Sequence, residues 1–264
     1  MYDSIKKILL YNISVIKILR RKFMANPILN QNAIQRERVL DGEPMTINGA
    51  INKTLILLAL LFCGSLVTWN LFYQGATDKV TMLTVVGFLT SIISFIVIMF
   101  NRNTVNVMAP VYAIGEGLLL GGFTAMIEAR YSCAILAVFL TFMCLLGMLL
   151  LYRLGIIRCT EKFRSVVLIS TFSICGIYLI NFIGYFFHMQ IPYIFSSNRI
   201  GIIFSFIVVA IASLNLIIDF DFIERGAQNL LPKTYEWYGA FGLMVTLVWL
   251  YIEIINLLSK MADR

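Results

Sequence analysis

The sequence predicts an all-α polytopic membrane protein with seven transmembrane helices. Two observations carry that expectation. The chain is 60% hydrophobic and only 13% charged, with a mean hydropathy of +0.87, well beyond the apolar share of a soluble domain. Apolar runs of about 20 residues, the length a helix needs to cross hydrocarbon, recur seven times, and polar breaks separate them.

The runs fall at about 54–73, 80–100, 107–127, 132–153, 165–187, 200–219 and 237–258. Gln74-Gly-Ala-Thr-Asp78 reads as a tight turn after the first. Asn101-Arg-Asn103 ends the second, and Glu128-Ala-Arg130 the third. The charged stretch Arg158-Cys-Thr-Glu-Lys162 separates the fourth and fifth, and Ser196-Ser-Asn198 precedes the sixth. The last break, roughly 220–236, is the longest. The expected organisation is an N-terminal cytoplasmic segment over 1–50 and one seven-helix membrane domain over 51–264.

Basic residues orient the bundle. Counting alternate sides places sixteen Lys and Arg with the N-terminus and five opposite. The positive-inside rule then puts the N-terminus in the cytoplasm and, across seven spans, the C-terminus outside. The net charge of +7 thus reads as a topology signal rather than a nucleic-acid footprint. Residues 1–23 alternate apolar and basic, as a membrane-surface helix does, although translation starting at Met24 is an alternative. They lack a long apolar core and a small-residue cleavage site, so they read poorly as a signal peptide.

Catalytic and metal chemistry find little support. Cys63, Cys133, Cys144, Cys159 and Cys175 are scattered, with no C-x-x-C pair, and read as free thiols. His188 is the single histidine, too few for a His-rich metal site. No nucleophile motif accompanies it. The expectation is a protein that is not an enzyme, with no metal or other cofactor.

The acids carry the functional signal. Among 14 acids in 264 residues, Glu116 interrupts the third run and Glu253 the seventh. Asp219, Asp221, Glu224 and Glu236 crowd the junction between the last two runs. A carboxyl in hydrocarbon is costly unless it meets a partner, a cavity or a proton. Asp221 and Arg225 are four apart, as in a helix-surface ion pair. Glu224 and Glu236 flank the expected loop and read as solvated. With Asp219 at the cytoplasmic end of its helix, Glu253 lies about 24 Å along a helix starting at Trp237, too far to touch it. The sequence therefore favours a deep Glu116/Glu253 site, with Asp219 and Asp221 as a cytoplasmic-end gate. Gly117 and Gly121 form a small-xxx-small face suited to close helix packing. Pro110 and Gly115 are candidates for loosening the same helix.

Four stretches carry a family resemblance. They are Met45-Thr-Ile-Asn-Gly-Ala-Ile-Asn-Lys-Thr54, Ala109-Pro-Val-Tyr-Ala-Ile-Gly-Glu-Gly-Leu-Leu-Leu-Gly121, Asp219-Phe-Asp-Phe-Ile-Glu-Arg-Gly226 and the run from Glu236 to Glu253. Together they resemble the Bax inhibitor-1/YccA family, in its bacterial branch, over roughly 24–260. The resemblance implies a seven-helix fold with the last helix central, in the bacterial inner membrane, and a pH-sensitive calcium leak gated by an acid pair from the sixth and seventh helices. Asp219 or Asp221 takes the sixth-helix role and Glu253 the seventh. The family's basic partner in the second helix has no match, because 80–100 contains no Lys or Arg.

The expected partners are the lipid bilayer and, as the resemblance implies, calcium ions as transported cargo and a membrane protease as a further partner, with no nucleic acid. The alternative function is a non-conducting regulator that binds such a protease or another membrane partner. Proton-coupled transport of a small solute also fits intramembrane carboxyls. Intramembrane aspartyl proteolysis does not fit, since its Gly-x-Gly-Asp and Tyr-Asp signatures are absent.

Overall fold

The computed structural model describes residues 43–187, 194 and 196–263. The expectations for residues 1–23, Met24 and His188 lie outside that set. Seven long helices follow in order: α1 Ile47–Tyr73, α2 Thr77–Phe100, α3 Val105–Tyr131, α4 Ala134–Arg153, α5 Glu161–Phe186, α6 Arg199–Gln228 and α7 Thr234–Ala262. Each is long and apolar enough to span a bilayer. A short 3₁₀ turn, Arg102–Thr104, leads into α3. No strand accompanies the helices among the described residues.

Capping side chains set the helix starts. Thr46 accepts the Gly49 N–H at 3.0 Å, Thr160 the Phe163 N–H at 3.2 Å and Asn198 the Gly201 N–H at 2.8 Å, the usual way of satisfying first-turn donors. Glu128 reaches across the third turn to accept from the Ala134 N–H at 2.7 Å. The expected break at Glu128-Ala-Arg130 is therefore helical. The chain turns instead at Ser132, in the left-handed region at φ 50°.

The larger correction concerns α6, which continues through the acidic stretch to Gln228 and leaves only 229–233 as a loop. Asp221, Glu224 and Arg225 do not end the helix because partners on α4, on α5 and in the loop between them meet these side chains sideways. Leu230 at φ 52° reverses the chain, and the Met45 N–H donates to the Leu231 carbonyl at 2.7 Å, tying the entry of α1 to this loop. Lys233 beside Glu43 adds an exposed ion pair. It holds the Glu43 carboxyl below the usual range and the Lys233 ammonium above its own.

α3 and α7 form the centre. In each, more than half of the most apolar stretch is buried within the bundle, against about a sixth to two-fifths for the other helices. The last helix is central, as expected, and shares that place with α3. α3 lies between α1 and α2 through glycines. A Cβ on Gly117 would sit 2.2 Å from the Leu61 carbonyl oxygen, and one on Gly121 2.2 Å from that of Ser65. On the other side, a Cβ on Gly115 would sit 3.0 Å from the Gly87 carbonyl oxygen. Gly117 and Gly121 thus do pack helices. Gly115 does so too, so it tightens the contact with α2 rather than loosening α3.

Candidate functional site

The six acids named from the sequence divide into separate environments. Asp219 is buried in the α6–α7 interface, only 3% exposed. Thr246 of α7 faces its carboxyl. Its Oδ2 is buried with no hydrogen-bond partner among the described residues. Thr246 stands twelve residues into α7, about 18 Å along it. Asp219 is therefore deep in the bundle and not at its end. The sequence reading misplaced it because the helix was expected to stop there.

Asp221 is only two residues on but faces elsewhere, as i and i+2 positions on a helix must. It accepts from the Arg164 guanidinium of α5 at 2.7 Å and from Arg225 Nε at 3.0 Å. The expected surface pair with Arg225 is thus half of a largely buried triad, in which Asp221 is 5% exposed. Arg225 also donates to the Cys159 carbonyl at 3.1 Å, which pins the α4–α5 loop. Asp219 and Asp221 are thus not brought together.

Glu253 lies in a different setting. The Tyr178 hydroxyl of α5 lies 2.8 and 2.9 Å from its two carboxyl oxygens, and Trp249 Nε1 donates at 3.1 Å. Glu116 faces Ser91 of α2 and Tyr112 one turn back. It lines a cavity of about 210 Å³ with Phe88, Ile92 and Phe95.

The expected Glu116/Glu253 pair is not brought together. α3 and α7 run parallel, with Tyr112 stacked edge-on to Phe241 at 5.0 Å and Thr124 bonded to the Tyr251 hydroxyl at 2.9 Å. That register puts Glu116 level with residues near 244, about 13 Å below Glu253 along the axis. By the same count Glu253 lies about 10 Å above Asp219, much nearer than the sequence suggested.

Glu236 overturns the reading that it is solvated. It is 2% exposed, forms an ion pair with Lys53 of α1, and accepts from the Thr46 N–H and hydroxyl at 2.8 and 2.9 Å. Gly49 makes room, because a Cβ there would fall 2.2 Å from the carboxyl. Glu224 accepts from the Tyr152 hydroxyl and from Gln228.

Sequence reasoning missed Tyr178, Thr246, Arg164 and Lys53. Trp249 was detectable, being four residues before Glu253 and so on the same helix face. The other four lie on different helices from their acids, and no local spacing points to them.

All five cysteines are free. Burial, with the nearby Asp221 charge second, pushes the Cys159 thiol up to about 11. In a variant keeping only this cysteine, the maleimide labelling rate should rise about tenfold per pH unit beyond pH 9, because the thiolate reacts. A plateau near pH 9 would contradict that environment. Among the described residues, no three His, Cys, Asp or Glu side chains gather as a metal site.

A family model described as Bax inhibitor 1 like matches residues 26–263. No curated protein and no solved structure matches the chain.

Proposed function

We propose, from the fact that this chain belongs to the Bax inhibitor 1 like family, that it is a pH-sensitive cation leak protein, with calcium as the expected cargo. The observation that supports this reading best is Asp219. It is a carboxyl deep in the α6–α7 interface that faces Thr246 and has one buried oxygen without a hydrogen-bond partner among the described residues. Such a group can exchange a proton for a cation. Protonated, it is neutral and can hydrogen-bond across the interface. Ionised, it offers a hard oxygen ligand to a hard cation. Nothing charged faces it among the described residues. Glu116, with its own small cavity at nearly the depth of Asp219, and Glu253, under Tyr178 about 10 Å above, are further carboxyls past which the same ions would move. Asp221, neutralised by two arginines, is structural in this reading.

The bilayer is the working environment, with the basic end in the cytoplasm, the C-terminus outside and the bacterial inner membrane as host. The chain acts as a conduit and not as a catalyst. It uses no cofactor, and neither nucleic acid nor a membrane protease is needed as a partner.

The test uses purified protein in liposomes with an entrapped calcium dye. Flux should rise with pH in the wild type and become flat and low in Asp219→Asn. Glu116→Gln and Glu253→Gln should shift the profile without abolishing it. A wild-type protein that stays ion-tight from mildly acidic to alkaline pH overturns the proposal. So does an Asp219→Asn variant with an unaltered profile. Ion-tight but folded protein would favour the non-conducting regulator.

A further inference from the structure

α1 packs on α3 and α7, while α4 packs on α6 and α7. Between α1 and α4 the bundle leaves a cavity of about 740 Å³, within the roughly 300–1,000 Å³ of small-molecule sites. Ile51, Leu55 and Leu58 form one wall, and Phe142, Leu146 and Leu149 the other. Leu55 is 60% exposed and Leu146 49%, so the groove opens sideways, where hydrocarbon surrounds the bundle. From Phe142 to Arg153 it follows α4 for about 16 Å, close to one leaflet's share, about 15 Å, of a 30 Å hydrocarbon core.

One end differs. Where α4 ends and turns toward α5, the lining becomes Arg153, Arg158 and Arg225. Gly155, at φ 68°, makes that turn, and Arg158 Nε passes 3.9 Å from where its Cβ would stand. Two acids also line this end, but both are engaged within the protein. Asp221 is held by Arg164 and Arg225, and Glu224 by Tyr152 and Gln228. Arg153 and Arg158, both exposed, have no carboxylate within ion-pair distance among the described residues.

We propose that this groove binds one anionic phospholipid from the leaflet at that end, its phosphate on Arg153 and Arg158 and an acyl chain along the α1–α4 walls. A membrane-facing apolar channel that ends in two free guanidinium groups complements such a lipid in both halves. Arginine matches phosphate in bidentate geometry, and basic pockets between transmembrane helices are suited to lipid headgroups. The proposal does not depend on ion leak.

Native mass spectrometry of the full chain in detergent, with phosphatidylglycerol or phosphatidylcholine added, tests it. Wild type should retain one phosphatidylglycerol about 30-fold more strongly than phosphatidylcholine. The Arg153→Gln/Arg158→Gln variant should lose that preference by about 30-fold, in line with two phosphate-facing arginines, and Arg130→Gln at the opposite end should keep it. Leu146→Trp, which fills the apolar half, should weaken retention of both lipids. Thermal unfolding establishes that each variant is folded. Equal retention of the two lipids overturns the proposal, as does an unchanged double variant. It is also overturned by displacement with glycerol phosphate as readily as with lipid, by a full chain that retains none because its own residues fill the groove, or by a second copy seated there as a dimer.

Discussion

Replacing Gly121 with leucine should destabilise the bundle by about 3 kcal/mol or more and broaden or abolish its monodisperse elution in detergent. Overpacked cores typically lose about 1–3 kcal/mol when neighbours can shift. Here they cannot. The first atom added would stand 2.2 Å from the Ser65 carbonyl oxygen and 2.7 Å from the Ser65 Cα, both backbone. Only a displacement of all of α1 relieves that clash, and α1 is held by the central helices α3 and α7. Gly147→Leu is the matched control, since a Cβ at Gly147 meets nothing within 4 Å. It should be neutral or slightly stabilising, as a better helix former at an open site. Equal unfolding temperatures for the two variants would contradict the glycine-mediated contact.

Removing the Glu236 carboxylate should have the next largest effect. Glu236→Ala strands the Lys53 ammonium and two Thr46 donors at the junction of α1 and α7. Breaking one side of a buried ion pair costs about 3–5 kcal/mol. The lower end of that range applies here, because Lys53 keeps 15% of its side chain in contact with solvent. Glu236→Gln should lose less, since an amide oxygen still accepts from Thr46. The double variant Glu236→Leu/Lys53→Met should recover part of the loss, because it leaves no unpaired charge. Thermal unfolding in detergent reads all three. A single variant as stable as wild type would mean that this cluster does not hold the two helices together.

The junction also gives physical meaning to a stretch that served only as a likeness in the sequence. In Met45-Thr-Ile-Asn-Gly-Ala-Ile-Asn-Lys-Thr54, the three positions Thr46, Gly49 and Lys53 lie on one helix face and all serve Glu236. Their spacing of three and four is helical, but the acid they receive lies about 190 residues away. The groove between α1 and α4 is of the same kind, since its apolar walls and its arginines come from distant parts of the chain.

What composition and periodicity settled was the number of helices, their apolar character and the close packing through Gly117 and Gly121. These follow from what a bilayer demands of each segment alone: about 20 apolar residues, and small side chains where backbones meet. The packed bundle decided which carboxyls are deep, which are neutralised and which stand apart. Asp219 and Asp221 are nearly adjacent in sequence, yet one meets only Thr246 and the other two arginines. Their partners arrive on α5 and α7, and whether α6 continues past its acids depends on those partners. A helix tolerates charge at such a depth only when another helix answers it, and that answer depends on register and rotation between segments, which no local spacing encodes.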